Sequence, residues 1–228
     1  KSMLSETTLT WNTTVKKIHK ISLMGGFTGQ TILSDRHYVK GVGYLDDNVG
    51  PYNMEALMDK RNLTVQSAMT EVKRMSVLGR FNYSYRSRYF ITLTGRADGS
   101  SNFAKDHKWA FFPAAAFKWS ISNEPWMQMA KGTWLSNLSL RLSAGRSGND
   151  AIASYASQAV LTNGVSTWLF GDSQRLSYAP SRVSNNKLTW EKTDSFNAGI
   201  DMSILRGRIE MSLDGYLSYT SDLLLKVK

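Results

Sequence analysis

The stretch Arg208–Leu224, RIEMSLDGYLSYTSDLL, decides the fold because its residues change character one by one. Ile209, Met211, Leu213, Gly215, Leu217 and Tyr219 fall on one side of an extended chain, and Glu210, Ser212, Asp214, Tyr216 and Ser218 on the other, since successive side chains of a strand point to opposite faces. One face is oily and the other wet. Such a segment suits an antiparallel sheet covered on one side only, and the period leaves open which face looks inward.

The same alternation recurs along the chain. LSNLSLRLSAG sets Leu138, Leu140, Leu142 and Ala144 against Ser139, Arg141, Ser143 and Gly145, and SFNAGIDMSI sets Phe196, Ala198, Ile200, Met202 and Ile204 against Ser195, Asn197, Gly199, Asp201 and Ser203. YFITLTGRADG, WAFFPAAAFKWSI, GRFNYSYR, TLTWNTTVKK and HKISLMGGFT behave alike. The count is about eight strands, most near ten residues, where soluble strands run to ~5–6.

Connections are uneven in an ordered way. Tight hairpin turns are expected at Lys16–Lys20, Tyr85–Arg88 and Leu205–Arg208. Long polar segments, beginning at Gly29 and Gly145, lie between them and are joined by the shorter DGSSNFAKDHK. Short turns therefore fall on one rim and long loops on the other. The exception is SNEPWMQMAKGTW on the short-turn rim, where Asn123 as N-cap before Glu124 and Pro125 predicts a brief helix; YNMEALMDK is a second candidate helix.

Composition removes several function classes. The 28 Lys and Arg against 18 Asp and Glu give a net charge of +10, but these charges are spread over strand ends and form no nucleic-acid patch. Cysteine is absent, so the chain has neither a disulfide framework nor a thiolate metal site. His19, His37 and His107 lack ligand spacing, LDDN at Leu45–Asn48 lacks a calcium-loop pattern, and GVGY lacks the context of a nucleotide site. No cofactor or catalytic set is implied. The opening KSMLSETTLTW has no apolar core of a signal peptide, and no run approaches the ~18 apolar residues of a membrane helix.

Strands near ten residues, apolar on one face, with short turns on one rim and long loops on the other, describe an all-β, antiparallel transmembrane β-barrel. Tyr83, Tyr85, Tyr89, Trp109, Trp119, Trp190, Tyr216 and Tyr219 are the candidates for its interfacial aromatic girdles. On this reading the apolar face meets lipid, and Glu210 and Asp214 line a watery lumen. The alternative is a soluble or surface β-barrel, a binding or adhesin protein, with its apolar face inward.

Several runs also resemble one family when taken in order. They are Arg96–Ser101 (RADGSS), Phe112–Pro113, Trp119–Glu124 (WSISNE), Leu138–Arg141 (LSLR), Gly145–Asn149 (GRSGN) and Trp190–Thr193 (WEKT). Together they resemble the barrel of SusC/RagA-type TonB-linked outer-membrane transporters. Each motif alone is weak; the ordered string is specific.

The resemblance implies a plugged barrel of roughly 22 strands, of which residues 1–228 are an internal piece, with the plug, the TonB-contact segment and the remaining strands elsewhere; the ending LLLKVK lacks the terminal aromatic of a completed barrel. It further implies a location in the outer membrane of a Gram-negative bacterium and TonB-powered uptake of an oligosaccharide or peptide. A SusD/RagB-like surface lipoprotein would act as lid. Arg96, Asp98, Lys118, Arg141, Asp201, Glu210 and Asp214 are then the lumen-facing candidates for holding the plug or guiding substrate, against the plainer role of solvated or cross-strand-paired wall charges. Tyr155, Trp168, Phe170 and Tyr178 are the loop aromatics for stacking on substrate or packing on the lid, against packing of the loop on itself.

Overall fold

A computed structural model of the chain describes residues 1–44, 53, 56, 57, 62–171 and 173–224. Its strands are β1 (Ser2–Val15), β2 (His19–Gly41), β3 (Leu63–Tyr85), β4 (Tyr89–Ser100), β5 (Trp109–Ser120), β6 (Leu135–Asn149), β7 (Val160–Phe170), β8 (Ser173–Arg182), β9 (Glu191–Ile204) and β10 (Ile209–Ser221). Eight of them form one antiparallel sheet in the order β1-β2-β3-β4-β5-β6-β9-β10, while β7 and β8 pair with each other as a separate hairpin. Within the described residues the sheet does not close on itself.

The register keeps the two faces apart from strand to strand. Phe81, Leu93, Ala115, Ala144, Phe196 and Leu217 form one row of the apolar face. The adjacent row on the polar face is Asn82, Thr92, Ala116, Ser143, Asn197 and Tyr216. No second layer covers the apolar face among the described residues: Leu9 is 78 % exposed, Phe111 61 % and Leu213 74 %. The buried apolar residues are Leu57, Phe103, Phe112, Leu135 and Trp190, and three of these gather into one small core outside the apolar face. A soluble sandwich would bury the face that lies open here.

The short-turn rim is built as its spacing predicts. Lys16–Lys17, Arg86–Ser87 and Leu205–Arg206 all take positive φ, between 50° and 59°. Consecutive left-handed residues give a turn whose twist matches that of the flanking strands, although non-glycine residues there cost about 1 kcal/mol or more each. Lateral hydrogen bonds help to hold the turns: Arg86 N–H donates to the Ile18 carbonyl (2.8 Å), Ser120 N–H to that of Arg88 (2.7 Å) and Leu205 N–H to that of Trp134 (2.8 Å).

Several expectations need correction. Strands β2 and β3 run to 23 residues each, so residues 33–41, read as loop, and residues 63–71, given no strand beyond Leu63, pair as a two-stranded ribbon beyond their neighbours. The long segment after Asn149 contains the β7–β8 hairpin. Ile121–Asn123 and Pro125–Met127 are 3-10 turns, and Glu124 rather than Asn123 occupies the N-cap of the second, because its extended backbone leads into the proline. The candidate helix in YNMEALMDK and the LDDN stretch lie outside the described residues. Trp190 is no girdle residue, being buried against Phe103 and Phe112, and Tyr216 sits in mid-strand on the polar face.

A girdle does form on the short-turn rim from His19, Tyr83, Tyr85, Tyr89 and Trp119, whose successive rings stack or tilt with centroids 5.1–6.4 Å apart. A shallow groove of about 850 Å³ opens on the apolar face among Ile91, Leu93, Phe117, Leu142, Phe196 and Leu217, where Ala115, Ala144, Ala198 and Gly215 leave room. Its lining suits hydrocarbon rather than a polar nutrient.

Candidate functional site

All seven charged candidates share the polar face, because each lies an even number of positions from a polar neighbour in its strand and the register carries that parity across. Three of them assemble. Lys118, Arg141, Gly199 and Asp214 form one row across β5, β6, β9 and β10, and Ser139, Asp201 and Ser212 form the next. Arg141 grips Asp201 through Nε and Nη2 (2.7 and 2.9 Å) and reaches over β9 to Asp214 (3.0 Å). Ser212 donates to Asp201 (2.9 Å), and Ser139 donates to the same carboxylate (3.3 Å). The forked guanidinium is suited to such a two-carboxylate bridge.

Glycine at position 199 makes this bridge possible. A Cβ there would run into the Asp214 carboxylate and the Arg141 guanidinium. Gly199→Ala is therefore expected to cost about 1 kcal/mol, the size of a partly exposed ion pair, in urea unfolding of the full-length protein. The penalty should vanish in an Asp214→Ala background; a penalty that persists would assign it to the strand backbone instead.

Arg96 and Asp98 pair within β4 (2.7 Å), and Arg96 also donates to Ser76 of β3 (3.1 Å). Lys118 and Glu210 form no ion pair with a described residue, although Lys118 lies beside Arg141 in the register. Among the loop aromatics, Tyr155 is half exposed in a turn, with its hydroxyl accepting from Glu71 N–H (3.4 Å), and Tyr178 is exposed on β8. The backbone of Trp168 and Phe170 lies in β7, and their side chains are outside the described set.

Two assemblies went unread in the sequence. At the long-loop rim Arg74 grips Asp150 (2.7 and 3.1 Å), Ser100 donates to the same carboxylate (2.8 Å), and Asn102 donates to the Asp150 carbonyl (3.3 Å). Beside it, Trp190 packs on Phe103 and edge-on to Phe112, with centroids at 5.1 and 5.5 Å, and its Nε1 donates to the Lys108 carbonyl (3.0 Å). Gly148 leaves the space that the Phe112 ring fills. The available signal lay in the motifs themselves: RADGSS supplies Ser100, GRSGN supplies Gly148, and WEKT supplies Trp190.

At the opposite rim, WSISNE closes on itself. Trp119 Nε1 donates to Glu124 (3.0 Å), whose other oxygen faces Arg88 (3.4 Å), and the carboxylate is buried. Hydrogen bonds from Tyr89 and Trp119, with the Arg88 charge, hold the Glu124 carboxyl below its ordinary range. A depressed carboxylate stabilises the fold at neutral pH, and that contribution is lost as pH falls below about 4. Glu124→Gln should therefore flatten the acid limb of a stability-versus-pH curve; an unchanged limb would remove Glu124 from the account.

A single-layer sheet with one exposed apolar face, one ion-paired polar face and asymmetric rims is the architecture of a membrane barrel wall. Residues 4–227 match the family described as TonB dependent receptor-like, beta-barrel, and the chain belongs to that family. Within it, the chain is similar to SusC and RagA. SusC of Bacteroides thetaiotaomicron is 41 % identical over 157 residues, covering 68 % of this chain and 15 % of the relative. TonB-dependent receptor P26 of Formosa agariphila is 34 % identical over 223 residues, covering 98 % and 22 %. The solved RagAB peptide transporter superposes with a TM-score of 0.85 at 25 % identity, covering 99 % of this chain and 24 % of that one. The chain thus spans about a fifth of the length of these proteins.

Proposed function

We propose that this chain is part of the transmembrane wall of a TonB-powered nutrient importer in the outer membrane of a Gram-negative bacterium. The observation that carries the reading is the apolar face, exposed across eight strands with no layer over it among the described residues, because an open apolar face of that breadth is stable only against lipid or another protein. The polar face then lines the lumen, where its paired charges cost little when wet and offer hydrogen-bonding groups to a plug or a polar substrate. In this assignment residues 1–228 are one portion of a barrel domain, with plug, TonB-contact segment and remaining strands supplied by the rest of the protein. A SusD/RagB-like lipoprotein serves as lid on the long-loop side, and the nutrient is an oligosaccharide or a peptide. RagAB, named as a peptide transporter, favours a peptide as the first substrate to try. Transport, not catalysis, is the role that this wall supports.

The test is uptake by cells expressing the full-length protein with its neighbouring lipoprotein. Labelled peptides and oligosaccharides should enter, and entry should stop when TonB or the proton gradient is removed. A protein that extracts into water without detergent, or uptake indifferent to TonB, would overturn the reading and return the soluble binding protein as the explanation.

A further inference from the structure

We propose that the short-turn rim is a binding surface for the anionic phospholipid headgroups of the periplasmic leaflet, a role that rests on the outer-membrane reading above. Lys16, Lys17, Arg86, Arg206 and Arg208 all lie on the turns of this rim, all are exposed, and none forms an ion pair with a described residue. Arg88 is spent on the buried Glu124, and Glu210 is the other acid nearby. At the long-loop rim four cations meet acids, Arg74 with Asp150, Lys73 with Glu71, Arg146 with Asp194, and Lys192 with Asp222, while Arg36, Lys40, Lys105, Lys108 and Lys187 are exposed there without an ion pair to a described residue. What sets the short-turn rim apart is that its unpaired cations sit on the tight turns directly beside the aromatic girdle.

Position says what would neutralise it. The last rows of the apolar face before the turns are the stacked His19, Tyr83, Tyr85, Tyr89 and Trp119, and such aromatics settle at headgroup depth. Arg86, Lys17 and Lys16, one to three residues beyond Tyr85 and His19 on the turns, are level with lipid phosphates, and Arg206 holds the matching place on the β9–β10 turn. Arg86 lies over the Tyr85 ring at 5.3 Å, which folds its guanidinium back toward the girdle. Turns joining successive strand pairs repeat at about 10 Å along the rim, and their lateral hydrogen bonds hold that spacing. A charged line following the membrane edge fits a lipid surface better than a compact acidic protein, which would meet a cluster. Lys and Arg donors suit phosphate oxygens, and basic residues beside a bilayer favour anionic lipid.

The experiment uses the full-length protein and a variant carrying Lys16→Gln, Lys17→Gln, Arg86→Gln and Arg206→Gln. Both are reconstituted into vesicles of phosphatidylcholine with phosphatidylglycerol, re-extracted, and the retained lipids counted by native mass spectrometry. Wild type should retain phosphatidylglycerol over phosphatidylcholine by about tenfold at low salt, and the variant or about 0.5 M salt should bring this within about twofold. Equal retention of both lipids by wild type, or an enrichment that the variant leaves intact, overturns the proposal. A variant that keeps its lipid preference but loses capture of poly-glutamate would also overturn it, by assigning the rim to an acidic protein. Flotation separates the two levels: if neither protein enters vesicles, the membrane reading fails and the proposal falls with it.

Discussion

Trp190→Ala is expected to destabilise the full-length protein by about 3–5 kcal/mol, as removal of a large buried aromatic does. Trp190 is 5 % exposed and joins the start of β9 to Phe112 of β5 and Phe103 of the β4–β5 loop. Truncation leaves a cavity and strips the Lys108 carbonyl of its donor. Because the cluster ties residues far apart in the chain, its loss should also loosen the Arg74–Asp150 clamp beside it. Urea unfolding followed by the gel shift of the folded barrel measures the cost. Trp109→Ala, at 55 % exposure, is the control and should cost under about 1 kcal/mol. Equal effects of the two would deny the cluster its structural role.

Leu213→Arg is the second large effect, about 2–4 kcal/mol against insertion if its row lies near the bilayer midplane. Leu213 is 74 % exposed on the apolar face, in register with Ile200 and, one strand further, Leu140. The adjoining residue gives the internal control. Asp214→Leu falls on the opposite face, loses one partly exposed ion pair, and should fold into membranes with a change of no more than about 1 kcal/mol. Folding yield into vesicles of defined thickness reads both. Tolerance of the arginine together with aggregation of the leucine variant would reverse the two faces.

How much of this was legible depended on whether an element had two unlike faces. β10 reads at sight because Ile209 to Tyr219 alternate with Glu210 to Ser218, and the same holds for β4, β6 and β9. Residues 33–41 were unreadable as strand because Ser34, Asp35, Arg36 and His37 are polar on both sides and solvent bathes both sides; without a buried face the period has no cause. In β7, Asn163–Gly164 imitates a turn, and the register shifts between Asn163 and Thr167. Pro180 in β8 weakens the strand pattern further. The charged candidates were readable as sharing a face, since parity needs no register. Their partners were not: Arg74 with Asp150 and Arg141 with Asp214 are 76 and 73 residues apart, and only the pairing of strands brings them together. Trp190 misled because an aromatic beside a strand end looks the same in sequence whether it faces lipid or a core.

The ribbon formed by residues 33–41 and 63–71 has a mechanical meaning. Nine residue pairs at a rise of ~3.3 Å carry the chain roughly 30 Å past the end of the neighbouring strands. Continuous with the parts of β2 and β3 that are fastened to β1 and β4, and flanked by no further strand among the described residues, it behaves as a cantilever: stiff along its length, compliant sideways. Whatever rests on its end is held at a stand-off fixed by the number of pairs, and removing two residues from each arm lowers that height by about 7 Å without touching the wall beneath.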